Sequence, residues 1–389
     1  MKSFNKKNFL SKIYWICPRR HCLLLVSLIL ISAHLISRNN YTFNRNLSQK
    51  IIQPLHHFLA KLNSAFPFSV AELLIAAAVA GVSVYLIVSM IKLLVRPGKA
   101  VTLYRLLLTP AALAAAVYAG FCVLWGVYYY GEDFLNAGDF KQNEISVQQL
   151  EVVTKYFACL TNEYSLQVPR DERGACASSR QEIIEKSVEA YDAIEEEYPC
   201  LAGPRVAVKG VLCSKVMSLI DFTGFFFPFT AEANVNMDFP PALFASTAAH
   251  ELAHQRGVAQ EQEANFAAVL ASLAYGDADY CYSACLLAYI HLGNALYQSD
   301  RDAWREVYGS LNSYVLQDLT DNSTYWAQFE TPIQTVSNTV YEGFLQSYDQ
   351  ELGLKSYGAC VDLLVNYYYE TAQEYLTEIS TIEAEESMP

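Results

Sequence analysis

The chain has 389 residues, of which 53% are hydrophobic, and a formal net charge of −13. The charge is divided unevenly. Residues 1–130 hold 14 of the 27 Lys and Arg residues and one acidic residue, Glu72, which gives +13, whereas residues 131–389 carry −26. A domain with that negative charge would repel phosphate, which argues against nucleic acid as a partner. We expect two parts in different environments, with a boundary near Gly131.

Three uncharged apolar segments in the first part predict transmembrane helices in a lipid bilayer. They cover about residues 21–37, 73–91 and 106–130, and each approaches or exceeds the roughly 20 residues that cross a bilayer. Trp125 and the tyrosines that follow it are typical of the interface between lipid and water. The first segment could instead be a signal peptide, but it has a poor cleavage site and two more spans follow it.

The basic residues around these segments predict an orientation. Six Lys and Arg residues precede the first segment, and four more surround the short loop between the second and the third. Because positively charged loops stay in the cytoplasm, three crossings place residues 131–389 outside it. The loop of residues 38–72 is also basic, which weakens this argument. We expect a multi-pass membrane protein with an extracytoplasmic C-terminal domain.

The second part is predicted to be mostly helical. Periodicity predicts helices over the following ranges: 147–160, 178–198, 259–274, 279–296, 302–318, 332–351 and 357–377. Aromatic and apolar residues between 222 and 236 predict short strands, so we expect a mainly α fold with a small sheet. The domain holds seven cysteines, an odd number that leaves at least one unpaired. Cys281 and Cys285 are expected to be buried apolar residues rather than metal ligands.

His250, Glu251 and His254 form an H-E-x-x-H motif. On a helix, residues four apart lie on one face, so both imidazoles can bind one ion while Glu251 reaches a water on that ion. Zn²⁺ lowers the pKa of such a water, and the glutamate removes its proton. Gly257 can end this helix. The sequence therefore predicts a zinc site, against the alternative of a surface helix with two unrelated histidines.

Two glutamates near the start of the next predicted helix are candidates for the third ligand. Glu261 and Glu263 both follow His254 closely, and either would leave the fourth position open for water. They cannot both face the metal, because two residues along a helix correspond to a turn of about 200°. Asn265 lies one turn beyond Glu261 and could orient that carboxylate or His250, or could simply pack between helices.

The segment of residues 231–236 is the candidate strand beside the metal. As an edge strand it would pair with extended substrate backbone, and Glu232 and Asn234 are its candidate contacts. The alternative is a hairpin that packs under the motif helix.

Short sequences on both sides of the motif resemble a bacterial membrane family called domain of unknown function 3810. These sequences are Tyr198-Pro199, Val208–Leu212, Thr223-Gly224, Pro228–Thr230, Glu232–Asn236, His250–Gly257, Glu261–Phe266 and Tyr282-Ser283, with Trp125-Gly126 and Tyr129-Tyr130 at the end of the third apolar segment. They extend from residue 125 to about residue 297. The resemblance implies a bacterial cell-membrane protein with a gluzincin-like zinc-peptidase domain and a Zn²⁺ cofactor.

In gluzincin-like peptidases the third ligand is a glutamate on a following helix, often in an E-x-x-A-[DN] pattern. Glu261, Ala264 and Asn265 match that pattern, so the resemblance favours Glu261 over Glu263. The gap between the two helices is much shorter here than in most gluzincins.

The sequence as a whole favours a membrane-anchored zinc metallopeptidase acting on a peptide or protein substrate. Glu251 would be the general base. The oxyanion of the intermediate needs a further donor, and Tyr275, Tyr282 and His291 are candidates between which the sequence does not choose. The alternative is a non-catalytic envelope sensor or assembly factor with a structural or vestigial zinc site. An intramembrane protease is disfavoured because the motif region is too polar for a lipid-facing span. The oligomeric state is not predicted.

Overall fold

The structure is a computed structural model that describes residues 15–95, 97–140, 143–348 and 357–386. Its helices are α1 (Pro18–Ser37), α2 (Tyr41–Leu47), α3 (Gln53–Asn63), α4 (Val70–Val95), α5 (Lys99–Phe121), α6 (Phe134–Ala137), α7 (Val147–Ser165), α8 (Arg180–Lys186), α9 (Ser214–Leu219), α10 (Phe244–Gln255), α11 (Glu261–Tyr275), α12 (Ala278–Ser299), α13 (Arg301–Gly309), α14 (Ser313–Ala327), α15 (Pro332–Ser347) and α16 (Tyr357–Glu386). Its strands are β1 (Lys209–Val211), β2 (Gly224–Phe227) and β3 (Glu232–Asn236). The predicted mainly helical fold with a small sheet is confirmed.

Contacts between residues group the chain into two compact units. The first unit comprises residues up to 52, residues 70–131 and residues 228–230, and the second comprises residues 53–69, 132–227 and 231 onward. The second unit therefore includes α3, a helix for which the sequence analysis made no prediction.

Three helices of the first unit are long and apolar enough to cross a membrane, as predicted. They cover Pro18–Ser37, Val70–Val95 and Lys99–Gly126. The third begins before its predicted start, and the added first turns include Lys99 and Arg105, whose long side chains can direct their charges towards water. It ends before residue 130, where residues 128–130 form a turn of 3₁₀ helix. The basic residues before residue 15 lie outside the described residues, and the orientation stays a prediction.

The sheet of the second unit has the strand order β1-β3-β2. β1 runs parallel to β3, and β2 runs antiparallel to it. The prediction that residues 231–236 form an edge strand is therefore wrong. β3 pairs on both sides and all five of its residues are buried. The hairpin alternative describes the arrangement better, since β2 and β3 form a hairpin that packs against α10.

Two predicted helices are interrupted. The range 178–198 contains α8 followed by turns, because Ser187 accepts a hydrogen bond from the Val208 N–H and donates one to a backbone carbonyl, which competes with helix continuation. The range 302–318 is divided into α13 and the start of α14, and Asn312 caps the second of these through its side chain. The last residues of the predicted helix 332–351 and of the acidic C-terminal tail lie outside the described residues.

The core of the second unit brings α10, α11 and α12 against one another. Alanines such as Ala249, Ala264 and Ala267 are fully buried where these helices meet, and their small side chains allow close approach. The turn between α10 and α11 contains Gly257 at φ 95°, a left-handed conformation that glycine adopts without strain. Its predicted role as the residue that ends the motif helix is confirmed.

Candidate metal centre

Three side chains from α10 and α11 converge on one point. The Glu261 Oε2 atom lies 3.2 Å from His250 Nε2 and 3.7 Å from His254 Nε2. The ligand atoms of the three residues all lie within 4.8 Å of one another. Donors about 2.0–2.2 Å from a tetrahedral Zn²⁺ are separated by roughly 3.3–3.6 Å, so this triad fits that ion after small side-chain adjustments.

The far nitrogen of each imidazole is fixed by a hydrogen bond. His250 Nδ1 lies 2.8 Å from the Asn265 side-chain oxygen, and His254 Nδ1 lies 2.6 Å from the Val258 carbonyl oxygen. An oxygen of either kind accepts, so each Nδ1 carries the proton. Each Nε2 then presents its lone pair towards Glu261 when the ring is neutral, which is the tautomer that a metal requires.

The charges at this point favour a cation. Burial opposes protonation of His254, but the Glu261 carboxylate outweighs it and raises the pKa of His254 to about 9. Burial likewise works against the Glu261 carboxylate, yet His254 and His250 hold its pKa well below the usual range. The same field that holds a proton between these groups would hold a divalent cation, and a metal would displace that proton on binding.

Glu251 lies next to the triad in a confined space. Its side chain is 4% exposed, and its Oε2 atom has no hydrogen-bond partner among the described residues. Burial raises the pKa of this carboxyl to about 7. Gly224 at the start of β2 packs directly on it, so that a Cβ at position 224 would lie 2.5 Å from Glu251 Oε1. A carboxyl with a pKa near neutrality is suited to general base catalysis.

The rival glutamate, Glu263, faces elsewhere. Its Oε2 atom accepts a hydrogen bond of 2.7 Å from the Phe134 backbone N–H. Burial, and then the charge of Asp133, raises the pKa of this carboxyl to about 8. The structure therefore brings Glu261, and not Glu263, to the two histidines.

Glu232 and Asn234, the candidate substrate contacts on β3, both bind to other residues of the second unit. Glu232 forms a buried ion pair of 2.6 Å with Lys209. Asn234 accepts a hydrogen bond of 2.6 Å from the Ser69 hydroxyl and donates one to the Glu232 carbonyl. The structure does not bring either side chain into the triad.

The three oxyanion candidates differ in their surroundings. Tyr282 donates a hydrogen bond to Asp318, and the ring of Tyr275 packs against another tyrosine. His291 is buried on α12, where burial, followed by the charge of His250, lowers its pKa to about 4. His291 is thus the one candidate of the three whose pKa depends on a histidine of the motif.

Two residues that the sequence analysis missed contact this site. The Tyr341 hydroxyl on α15 donates a hydrogen bond of 2.7 Å to Glu261 Oε1, and its ring packs edge-on against Phe222. Tyr341 is one of 27 tyrosines and lies 80 residues beyond Glu261, so no local pattern marks it. The sequence did mark Gly224, because Thr223-Gly224 is one of the short sequences that carry the family resemblance.

Comparison with known protein families gives a match over most of the chain. A family described as a protein of unknown function (DUF3810) matches residues 47–365, a range that contains the triad, Glu251 and Tyr341. This range extends well beyond residues 125–297, on which the resemblance rested. No curated protein and no solved structure matches the chain. Because the match covers most of its length, the chain belongs to the DUF3810 family.

Proposed function

We propose that this protein is a membrane-anchored zinc metallopeptidase of gluzincin-like type that hydrolyses peptide bonds. The observation that carries the proposal is the convergence of His250, His254 and Glu261 beside the buried carboxyl of Glu251. Two imidazole nitrogens and one carboxylate oxygen are the donor types of hydrolytic zinc sites. Among the described residues this group contains three ligands and not four, which favours a catalytic over a structural site.

His250, His254 and Glu261 would hold the ion. When bound, Zn²⁺ supplies a Lewis acid that lowers the pKa of water and polarises a carbonyl oxygen. Glu251 takes the proton from the attacking water and delivers it to the nitrogen of the leaving amine, while the peptide C–N bond breaks. Asn265 and the Val258 carbonyl keep the two rings in the required tautomer throughout.

We further propose that the second unit faces the extracytoplasmic side of a bacterial cell membrane. The proposal depends on the basic residues around the predicted spans and on the family resemblance. A cysteine-accessibility or reporter-fusion measurement at the C-terminus tests it, and a cytoplasmic C-terminus would contradict it.

The proposed enzyme is tested on the full chain in detergent or vesicles. Glu251→Gln is expected to keep stoichiometric zinc, measured by mass spectrometry of the metal, and to abolish cleavage of a peptide library. His254→Ala and Glu261→Gln are expected to lose the metal. Glu263→Gln is the matched control, because it makes the same change two residues away on a carboxyl that contacts Phe134.

Two results would contradict the proposal. One is a wild-type protein without bound zinc after zinc loading. The other is unchanged cleavage in Glu251→Gln, which would show that the activity does not depend on Glu251 and would exclude the proposed mechanism.

A further inference from the structure

Helix α3 is held firmly to the second unit by one of its faces. His56, Ala60 and Asn63 on this face are buried. The His56 ring packs edge-on against Phe226 of β2 at 5.5 Å. Lys209 Nζ donates hydrogen bonds to the Asn63 carbonyl at 2.7 Å and to the Phe68 carbonyl at 3.1 Å. Both α3 and the segment that follows it are therefore fixed on the sheet.

The opposite face of α3 is apolar and exposed. Leu55, Phe58 and Leu62 are 39%, 62% and 54% exposed, and their spacing places them on one side of the helix. Phe66 and Phe68, which follow α3 in the chain, are also large apolar residues and are 44% and 39% exposed. Soluble surfaces seldom gather so many large apolar side chains in one place, and such patches mark contacts with proteins or membranes.

We propose that α3 lies in the plane of the bilayer interface, with Leu55, Phe58 and Leu62 inserted among the lipid acyl chains. The chain itself indicates lipid as the partner. Phe68 precedes Val70 by two residues, and Val70 begins α4, a 26-residue helix that is apolar enough to cross a membrane. The apolar face is therefore tethered at the point where the chain enters lipid.

Charge and residue type on this face agree with an interfacial position. Lys61 is exposed beside Leu62, and its long side chain can reach lipid phosphates while its methylene groups stay in the apolar layer. Phenylalanine and leucine on one face with a lysine at its border are typical of helices that lie on membranes.

This interfacial helix is coupled to the candidate site through β2. Phe226, which contacts α3, follows Gly224 by two residues on the same strand, and Gly224 packs on Glu251. Two residues of strand span only about 7 Å. If the proposed peptidase function is right, the site lies close to the lipid surface, and its substrates are polypeptide segments that are themselves tethered to the membrane.

Photo-crosslinking tests the position of α3 without depending on catalysis. The full chain with Phe58→p-benzoylphenylalanine is placed in vesicles of phosphatidylethanolamine and phosphatidylglycerol, illuminated and analysed by mass spectrometry. The same replacement of Leu166 is the matched control, since Leu166 is a 68% exposed apolar residue elsewhere in the second unit. We expect a lipid adduct at position 58 and none at position 166. A crosslink from position 58 to a second copy of the chain, or no lipid adduct there, would overturn the proposal.

A second measurement concerns the substrate class. Phe58→Ser combined with Leu62→Ser is expected to lower cleavage of a vesicle-tethered peptide by about tenfold, because α3 then no longer holds the site at the lipid surface where that peptide is concentrated, while cleavage of the same peptide free in solution stays unchanged. An equal effect on both peptides would refute the preference for tethered substrates. A lipid adduct at position 58 together with undiminished cleavage by Glu251→Gln would leave the interfacial helix in place and exclude the proposed catalytic site at Glu251.

Discussion

Gly224→Ala is the substitution that most directly tests the confined position of the general base. The added Cβ would lie 2.5 Å from Glu251 Oε1, 2.7 Å from Cγ and 2.8 Å from Cδ. Ordinary van der Waals contact requires about 3.5 Å, so the carboxylate must move by about 1 Å. The backbone of Gly224 lies in a strand and has no positive φ, so alanine adds steric overlap but no backbone strain.

A displacement of about 1 Å in a catalytic group can lower the rate by about 100-fold, and overpacking of this kind costs about 1–3 kcal/mol of folding free energy. We therefore expect Gly224→Ala to retain zinc, to lose about two orders of magnitude in turnover and to unfold at a somewhat lower temperature. Gly309→Ala is the control, because a Cβ at position 309 has no neighbour within 4 Å. Wild-type turnover in Gly224→Ala with a normal zinc content would refute the proposed packing of the strand against Glu251.

Substitutions at three further positions separate the roles of neighbouring side chains. Asn265→Ala removes the partner of His250 Nδ1 and should weaken zinc binding by about 10–100-fold in a competition titration, whereas Asn265→Asp keeps an acceptor and should restore most of it. Tyr341→Phe removes one hydrogen bond to Glu261 and should weaken zinc binding by about 1 kcal/mol without unfolding the protein, and an unchanged affinity would deny it a positioning role. Burial raises the pKa of Glu263 to about 8, so the neutral carboxyl stabilises the folded state at low pH. This contribution to stability is lost as the pH rises from the pKa that Glu263 has in the unfolded chain towards 8. Glu263→Gln should remove that pH dependence and raise the unfolding temperature near neutral pH, and a pH profile identical to that of the wild type would contradict the assignment.

The parts of the site that the sequence predicted are those in which spacing along one helix determines position. His250 and His254 lie on one face of α10, and Asn265 lies one turn beyond Glu261 on α11, so local periodicity predicted the relative positions within each of these two pairs. The choice between Glu261 and Glu263 needed more than periodicity, because each lies in the first turn of α11. Tertiary contacts decide this choice, because the Phe134 backbone N–H donates a hydrogen bond to the Glu263 carboxylate and holds it away from the histidines.

Pairing between distant segments could not be predicted. Residues 231–236 have a strand-like composition, but β1 occupies the second side of β3, and nothing in either sequence specifies that parallel pairing. Tyr341 reaches the site only because α15 packs beside Phe222. Such contacts depend on how elements that are distant in the sequence pack together, which local sequence patterns do not encode.

The short connection between α10 and α11 explains how a ligand only seven residues beyond His254 can reach the same ion. Gly257 adopts φ 95° and reverses the chain, so that the Val258 N–H bonds back to the Ala253 carbonyl at 3.1 Å. The Val258 carbonyl then accepts the hydrogen bond from His254 Nδ1. One turn of backbone therefore ends the motif helix, fixes the tautomer of its second histidine and brings Glu261 within 3.2 Å of the first. The brevity of the connection is thus part of the geometry of the site, because the residue whose N–H caps the motif helix also supplies the carbonyl that orients His254.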